Sequence, residues 1–423
     1  MIIYPPQILR ENDSILISSK LKLDNPVKGF PDFLWYKLPA KYEEFISLQS
    51  DAFLVAGLAT AMHFGENIKV HGNVSPRLEY NLEEYMFTMK YLFPGVFQDI
   101  TIEYDQINSL DAQPQGIGIA FSSGVDSLFT LEKHVQAEHK TTENQITHAI
   151  FIHHFDLLSS ENPKFEVLLK QYQSMLKDLH IELIPIKTNQ VHFILPWLQY
   201  NRFHSTILAS TAMLLGKLFR SFIISSSWDY HQIEKHKILS NPLSDRLLST
   251  EKLNIIHFGA DYKRTEKIKA LQNWEIAHNY LRVCAEPLSN LELGNCSRCE
   301  KCMRTMLPIH ALGKSEQFRT FEKPIRSNKE LLWWARKFYP THGFVGETYQ
   351  IAKEKRPEML PWMIIATILG TIRYSILKFL PDFVKTFLKR FGYYHDYLLE
   401  ENAFDDPIII RKLESIWKDR KNL

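Results

Sequence analysis

The sequence predicts an α/β chain: a parallel sheet with helices on both faces, a small α+β domain before it, and a helical region after it. From residue 117 short apolar runs alternate with helix-period segments, the pattern of strands joined by crossover helices. Before that point strands and helices mix without alternation, and after about residue 313 the chain turns helical and aromatic. With 45% hydrophobic and 13% aromatic residues, a chain of 423 residues can bury two or three cores. Its 50 basic and 48 acidic residues leave a formal charge of +2, which argues against a dedicated nucleic-acid binder.

The front domain, residues 1–105, reads as strands at 15–23, 33–38, 68–74 and 100–104, with helices at 51–62 and 78–93. Residues 106–116, polar with Pro and Gly, read as a linker. The central domain, 117–313, follows with strands at 117–121, 148–153, 181–186 and 222–225 and helices at 126–134, 164–179 and 205–219. In such sheets ligands bind outside the carboxyl ends of the strands, here the loops after Phe121, His153, Ile186 and Ser225. The rear region, 314–423, contains a cationic amphipathic stretch at 360–391 with Arg373, Lys378, Lys385, Lys389 and Arg390, read as a helical cap with a solvated basic face. The longest apolar run, 359–372, is shorter than the roughly 20 residues a membrane span needs.

All four cysteines lie in one C-x11-C-x2-C-x2-C run: Cys284, Cys296, Cys299 and Cys302. Four thiolates close a tetrahedral shell around Zn2+ and leave no position for a substrate water, so a structural zinc site is expected. An iron-sulfur cluster suits the same triad and stays open as a rival. Two disulfides fit poorly. The start, MIIYPPQILREND, has no basic flank or long apolar core, so no secretory signal is read there and a reducing, cytoplasmic setting is expected.

Directly after the first central strand comes Ser122-Ser123-Gly124-Val125-Asp126-Ser127. Small residues admit close approach of a phosphate to the backbone, and a following helix turns free N–H groups toward it. The loop has neither a Walker lysine nor a G-x-G-x-x-G pattern. The same residues also suit an ordinary helix cap by Asp126 or Ser127, and both readings stand on the residues alone.

Ser122 to Ser127 resembles the S-G-G-x-D-S loop of the PP-loop ATP pyrophosphatases (adenine nucleotide alpha hydrolase-like fold), with Ser123 at the first glycine position. Together with the cysteine run, residues 117–313 resemble the 7-cyano-7-deazaguanine synthase family, although the eleven-residue spacer before the triad is longer than in that family. The resemblance implies ATP held by Phe121, Ser122, Ser123, Gly124, Val125, Asp126, Ser127 and His153, with His154 and Asp156 on the same side. It implies catalytic roles for Asp126, Ser127 and Arg264, the last near the triphosphate, with Mg2+ at Asp126. Trp228 or Tyr230 would stack on a flat base and Asp229 would accept from its ring nitrogens.

The activity so implied is ATP-dependent adenylation of a carboxylate, such as 7-carboxy-7-deazaguanine, followed by transfer to an amine with release of AMP and pyrophosphate. Enlarged relatives of this type are associated with bacterial anti-phage operons, which implies a protein amine from the same operon as an acceptor beside ammonia. Two other readings are open: a tRNA-thiolating PP-loop enzyme, and a scaffold that binds ATP without turnover.

Overall fold

The computed structural model describes residues 1–136, 145–153, 162–195, 197–198, 200–284, 294–334 and 343–381. They form two compact units. The first holds Met1–Ser122 and Thr130–Tyr262, the second Ser123–Phe129 and the described residues from Lys263 onward.

The first unit opens with β1 (Ile2–Ile3), β2 (Gln7–Glu11), β3 (Ser14–Lys22), β4 (Phe33–Pro39), α1 (Asp51–Phe64), β5 (Ile68–Val74), α2 (Pro76–Leu92) and β6 (Ile102–Ile107). It continues with β7 (Gly116–Ala120), α3 (Val125–Gln136), β8 (His148–His153), α4 (Asn162–Asp178), β9 (Glu182–Thr188), α5 (Tyr200–Leu214), β10 (Phe219–Ser225), α6 (Tyr230–His236) and β11 (Asn254–Phe258). The first turn of α3 is grouped with the second unit.

These strands form one eleven-stranded sheet ordered β11-β10-β7-β8-β9-β4-β3-β1-β5-β6, with β2 paired to β3. The block β11-β10-β7-β8-β9 is parallel throughout. Its strand order reverses at β7, which has β8 on one side and β10 on the other. That is the topological switch point of a doubly wound sheet, where the right-handed crossover rule puts the helices before and after the reversal on opposite faces and opens a crevice at the carboxyl ends. The loop after β7 leaves the sheet at this point. Gly118 of β7 is fixed by packing: a Cβ there would meet the rings of Phe222 and Phe219 at 2.7 and 2.9 Å.

The front hundred residues, expected as a separate α+β domain, share this sheet. β4 runs antiparallel to β9 through Tyr36↔Thr188 and Lys37↔Lys187. Asn189 extends the seam, its Oδ1 accepting from the Trp35 N–H at 3.0 Å and its Nδ2 donating to the Phe33 carbonyl at 2.8 Å. Ser210 of α5 donates to the Ala52 carbonyl of α1 at 2.7 Å and hydrogen-bonds the Tyr36 hydroxyl. Leu34, Tyr36 and Phe53 accordingly lie in one core with Ile184, Ile186 and Ile207. The physical reason is burial: residues 33–36 are covered on both faces, which an isolated small domain cannot provide.

Local boundaries also differ from expectation, among them the start of α5 at Tyr200 and the limits of β6. The helix expected at 205–219 ends at Leu214, and Phe219 already belongs to β10. The run LLGKLFRSFII is apolar without a period, so pattern alone does not separate helix from strand there. β11 was not anticipated, because its short NIIHF run lacks clear alternation.

The second unit contains α7 (Arg264–Leu271), α8 (Glu275–Tyr280), α9 (Glu300–Ala311), α10 (Leu331–Trp334), α11 (Gly343–Lys355) and α12 (Leu360–Phe379). Among the described residues no helix is long and apolar enough to cross a membrane. Residues 382–391 of the amphipathic stretch, with Lys385, Lys389 and Arg390, lie outside the described residues, as do His154 and Asp156.

Candidate functional site

Phe121, the last apolar residue before the loop, is buried. Its N–H donates to the Ile150 carbonyl at 2.9 Å and its ring stands edge-on to Tyr172 at 5.4 Å. Its side chain thus serves the core. After Ser122 the chain turns through Ser123, a non-glycine residue with φ 57°. That left-handed backbone costs a residue with a Cβ roughly 1–2 kcal/mol. The Ser123 hydroxyl offsets part of this by donating to the Tyr280 carbonyl at 2.6 Å, and its own carbonyl accepts from the Arg282 N–H at 2.8 Å. A glycine could adopt the same turn but not make the side-chain bond, which accounts physically for serine at this position. α3 then begins at Val125, with the Leu128 N–H donating to the Gly124 carbonyl at 3.0 Å and the Ser127 hydroxyl to the same oxygen at 3.3 Å.

Asp126, in the first turn of α3, receives two cations from α7. Arg264 Nη1 lies 3.1 Å from Oδ2 and Lys267 Nζ 3.2 Å from Oδ1. Burial pushes the Asp126 carboxyl up, but Lys267 and Arg264 outweigh it and hold the group below its ordinary value. For Arg264, burial dominates and lowers the guanidinium to about 10 against the opposing pull of Asp126. Arg304 of α9 adds positive charge to the same neighbourhood and pairs with Glu300 at 3.9 Å. Among the described residues Arg264, Lys267 and Arg304 thus act on Asp126, and Arg304 also pairs with Glu300. The Nε atoms of Arg264, Arg304 and Arg282 are buried without a hydrogen-bond acceptor among the described residues. Buried donors of this kind call for an acceptor.

α7 is braced where it carries these cations. Glu266 accepts from the Lys263 N–H at 2.7 Å, and Thr265 donates to Glu347 of α11 at 2.7 Å. Arg264 was expected from the sequence; Lys267 and Arg304 were not. Lys267 follows Arg264 by three residues on one helix, so a helical reading of KRTEK would have placed both on the same face.

His153, Trp228, Asp229 and Tyr230, expected near the nucleotide or the base, belong to the first unit. His153 ends β8, fully buried, its ring 4.3 Å from that of Phe165. Asp229 caps α6, accepting from the Gln232 N–H at 3.0 Å. A helix cap thus occupies one of the oxygens expected to meet a base. Trp228 is half-buried, with its ring 5.5 Å from His236 and its carbonyl accepting from Ser226 at 2.6 Å, while Tyr230 is exposed.

The cysteines converge. All four are buried, and their sulfurs lie within 4.8 Å of one another. Cys296 and Cys302 sulfurs stand 4.0 Å apart, as do those of Cys299 and Cys284. Zn–S bonds of about 2.3 Å at tetrahedral angles put sulfurs about 3.8 Å apart, so the set fits a four-thiolate metal ion such as zinc. A disulfide needs about 2.05 Å, and none is formed. The Cys299 N–H donates to Cys296 Sγ at 3.3 Å and the Cys302 N–H to Cys299 Sγ at 3.4 Å, the second bond capping α9. Each bond favours the thiolate form a metal requires.

Asn295, unread in the sequence, holds this centre together. Its Oδ1 accepts from the Val283 and Cys284 N–H groups at 2.8 and 3.1 Å, and its Nδ2 donates to the Leu281 carbonyl at 2.7 Å and to Thr320 at 3.0 Å. One fully buried amide thus ties the first cysteine to the segment that opens the other three.

Comparisons of the chain with protein-family models, with curated proteins and with solved structures found no match.

Proposed function

We propose that this chain is an ATP-dependent enzyme of the PP-loop kind that activates a carboxylate as its adenylate and transfers the acyl group to an amine. The observation that supports it most is the excess of cations, Arg264, Lys267 and Arg304, around Asp126 in the first turn of α3, immediately after the strained Ser123 turn. Such a group suits a polyphosphate: the guanidinium and ammonium groups take up charge that builds on pyrophosphate as it departs.

In this reading a substrate carboxylate oxygen attacks the α-phosphorus of ATP. The bond between that phosphorus and its bridging oxygen breaks, and pyrophosphate leaves toward the cations. An amine nitrogen then attacks the acyl carbon, loses a proton, and expels AMP. Mg2+ supplies charge neutralisation on the phosphates. Asp126, compensated by two cations, sets the positions of Arg264 and Lys267, and is the carboxylate that would hold Mg2+. A 7-deazaguanine carboxylate is the substrate class, and ammonia or a protein amine the acceptor. Thiolation is disfavoured, because all four cysteines of the chain sit in the metal-type cluster and none is left to carry sulfur.

The test is AMP and pyrophosphate release from ATP and Mg2+ with 7-carboxy-7-deazaguanine, with and without ammonia, followed by product mass. Amide or nitrile formation supports the reading. Normal ATP binding with no AMP from any deazaguanine carboxylate, alone or with amines, overturns it in favour of a binding scaffold.

A further inference from the structure

α12 is buried on one side only. Met363, Ala366 and Gly370 face its own unit, whereas Ile365, Leu369, Ile372, Ile376 and Phe379 are 44–84% exposed. These five follow one another by four, three, four and three residues, a heptad alternation. At helical pitch they fall on one stripe roughly opposite the buried side. Ile364 and Ile368, also about half exposed, widen it.

We propose that this stripe is an interface between two copies of the chain, paired along α12. Three properties favour a second helix of the same kind. A 4-3-4-3 spacing keeps a straight seam along a partner helix, which a flat surface does not require. The stripe is also self-complementary: its seven exposed residues are all apolar, so no like charges within it meet when the face is duplicated about a two-fold axis. Finally, the seven side chains together expose on the order of 700 Å2 of apolar surface, close to the roughly 800 Å2 that each partner contributes to a standard stable interface.

A bilayer is the poorer occupant. In-plane lipid helices bury one face in the membrane and turn a basic face to water. Here the face opposite the stripe is packed into the protein. The α12 stripe shares no residue with the Asp126 cluster or the cysteine cluster, so this association stands or falls independently of the proposed activity.

The test is the mass of the full chain at micromolar concentration by sedimentation equilibrium, before and after joint replacement Leu369→Asp and Ile372→Asp. A dimer is expected whose dissociation constant rises by about a hundredfold or more in the double variant, with melting temperature and metal content of the parent retained. Because Ile372 is the middle of the stripe, it meets its own copy whether the helices run parallel or antiparallel. Ile372→Cys is therefore expected to cross-link two chains on mild oxidation, and Lys353→Cys on α11 is not. A monomeric parent, a dimer that survives the double substitution, or a monomer that floats with anionic vesicles would each overturn the proposal.

Discussion

Lys267 sets its ammonium 3.2 Å from Asp126 with 2% of its side chain exposed, so the ammonium has no bulk water as an alternative partner, while the carboxylate keeps a 19% exposed edge. Removing one member of such a pair strands the other and costs about 3–5 kcal/mol, while removing both costs far less. Asp126→Asn is expected to destabilise the chain by about 3 kcal/mol, and Lys267→Met in the same chain to restore part of it, Arg264 still lacking its carboxylate. Urea denaturation of the two single variants and the double variant measures the coupling. The pH dependence has a definite sign: a carboxyl held low in the folded state stabilises fully above its unfolded value, and that contribution is lost as pH falls through the folded one.

Ser123 combines a left-handed backbone with a hydroxyl bonded to Tyr280. Ser123→Ala keeps the strain and loses the bond, whereas Ser123→Gly loses both. The alanine variant is expected to fall about 1 kcal/mol below the parent and the glycine variant to stay within about 0.5 kcal/mol of it. Thermal or chemical melts that ranked them the other way would show that the turn is not strained.

The metal centre predicts one ion per chain bound by four sulfurs. Replacement by Co2+ should give the charge-transfer and d–d absorption of a tetrahedral thiolate site, and Cys302→Ser should abolish it. Because Arg304 follows Cys302 on α9, the loss of metal should also weaken pyrophosphate binding, read by calorimetry.

Asn295→Ala leaves the Val283 and Cys284 N–H groups without their acceptor. A cost of about 2–4 kcal/mol in stability is expected, with a fall of about 10- to 100-fold in metal affinity measured by chelator competition.

Asp51 gives a pH effect of opposite sign. Burial raises its carboxyl to about 6 against the lowering effect of its bonds from Ser75. The folded chain then binds a proton more readily than the unfolded one. Stability contributed by this group is full below the ordinary carboxylate value and falls as pH rises toward about 6. Asp51→Asn should therefore gain on the parent as pH is raised from 4 to 7 in denaturation experiments.

Legibility in the sequence tracked how local each feature is. The four cysteines and the Ser122–Ser127 turn were visible because their residues lie close in sequence, and β8 matched its expected limits because it is a short buried run between polar ends. Tyr36 and Thr188 pair across about 150 residues, and no local pattern reports that, so the front strands looked like a domain of their own. Asn295 stands beside Cys296 as an unremarked polar residue until its bonds to residues 281, 283, 284 and 320 are seen together. Arg304 was missed because its meaning comes from charges on α3 and α7.

The short seam between β4 and β9 limits how the chain can be cut. A truncated chain beginning near residue 116 would keep the switch-point strands but open the outer edge of β9 at Lys187 and Thr188, with Ile184 and Ile186 stripped of the front domain's apolar cover. Such rims template further strands. The shortened protein is therefore expected to precipitate or form fibrous aggregates, and the front hundred residues act as a permanent stopper on sheet growth.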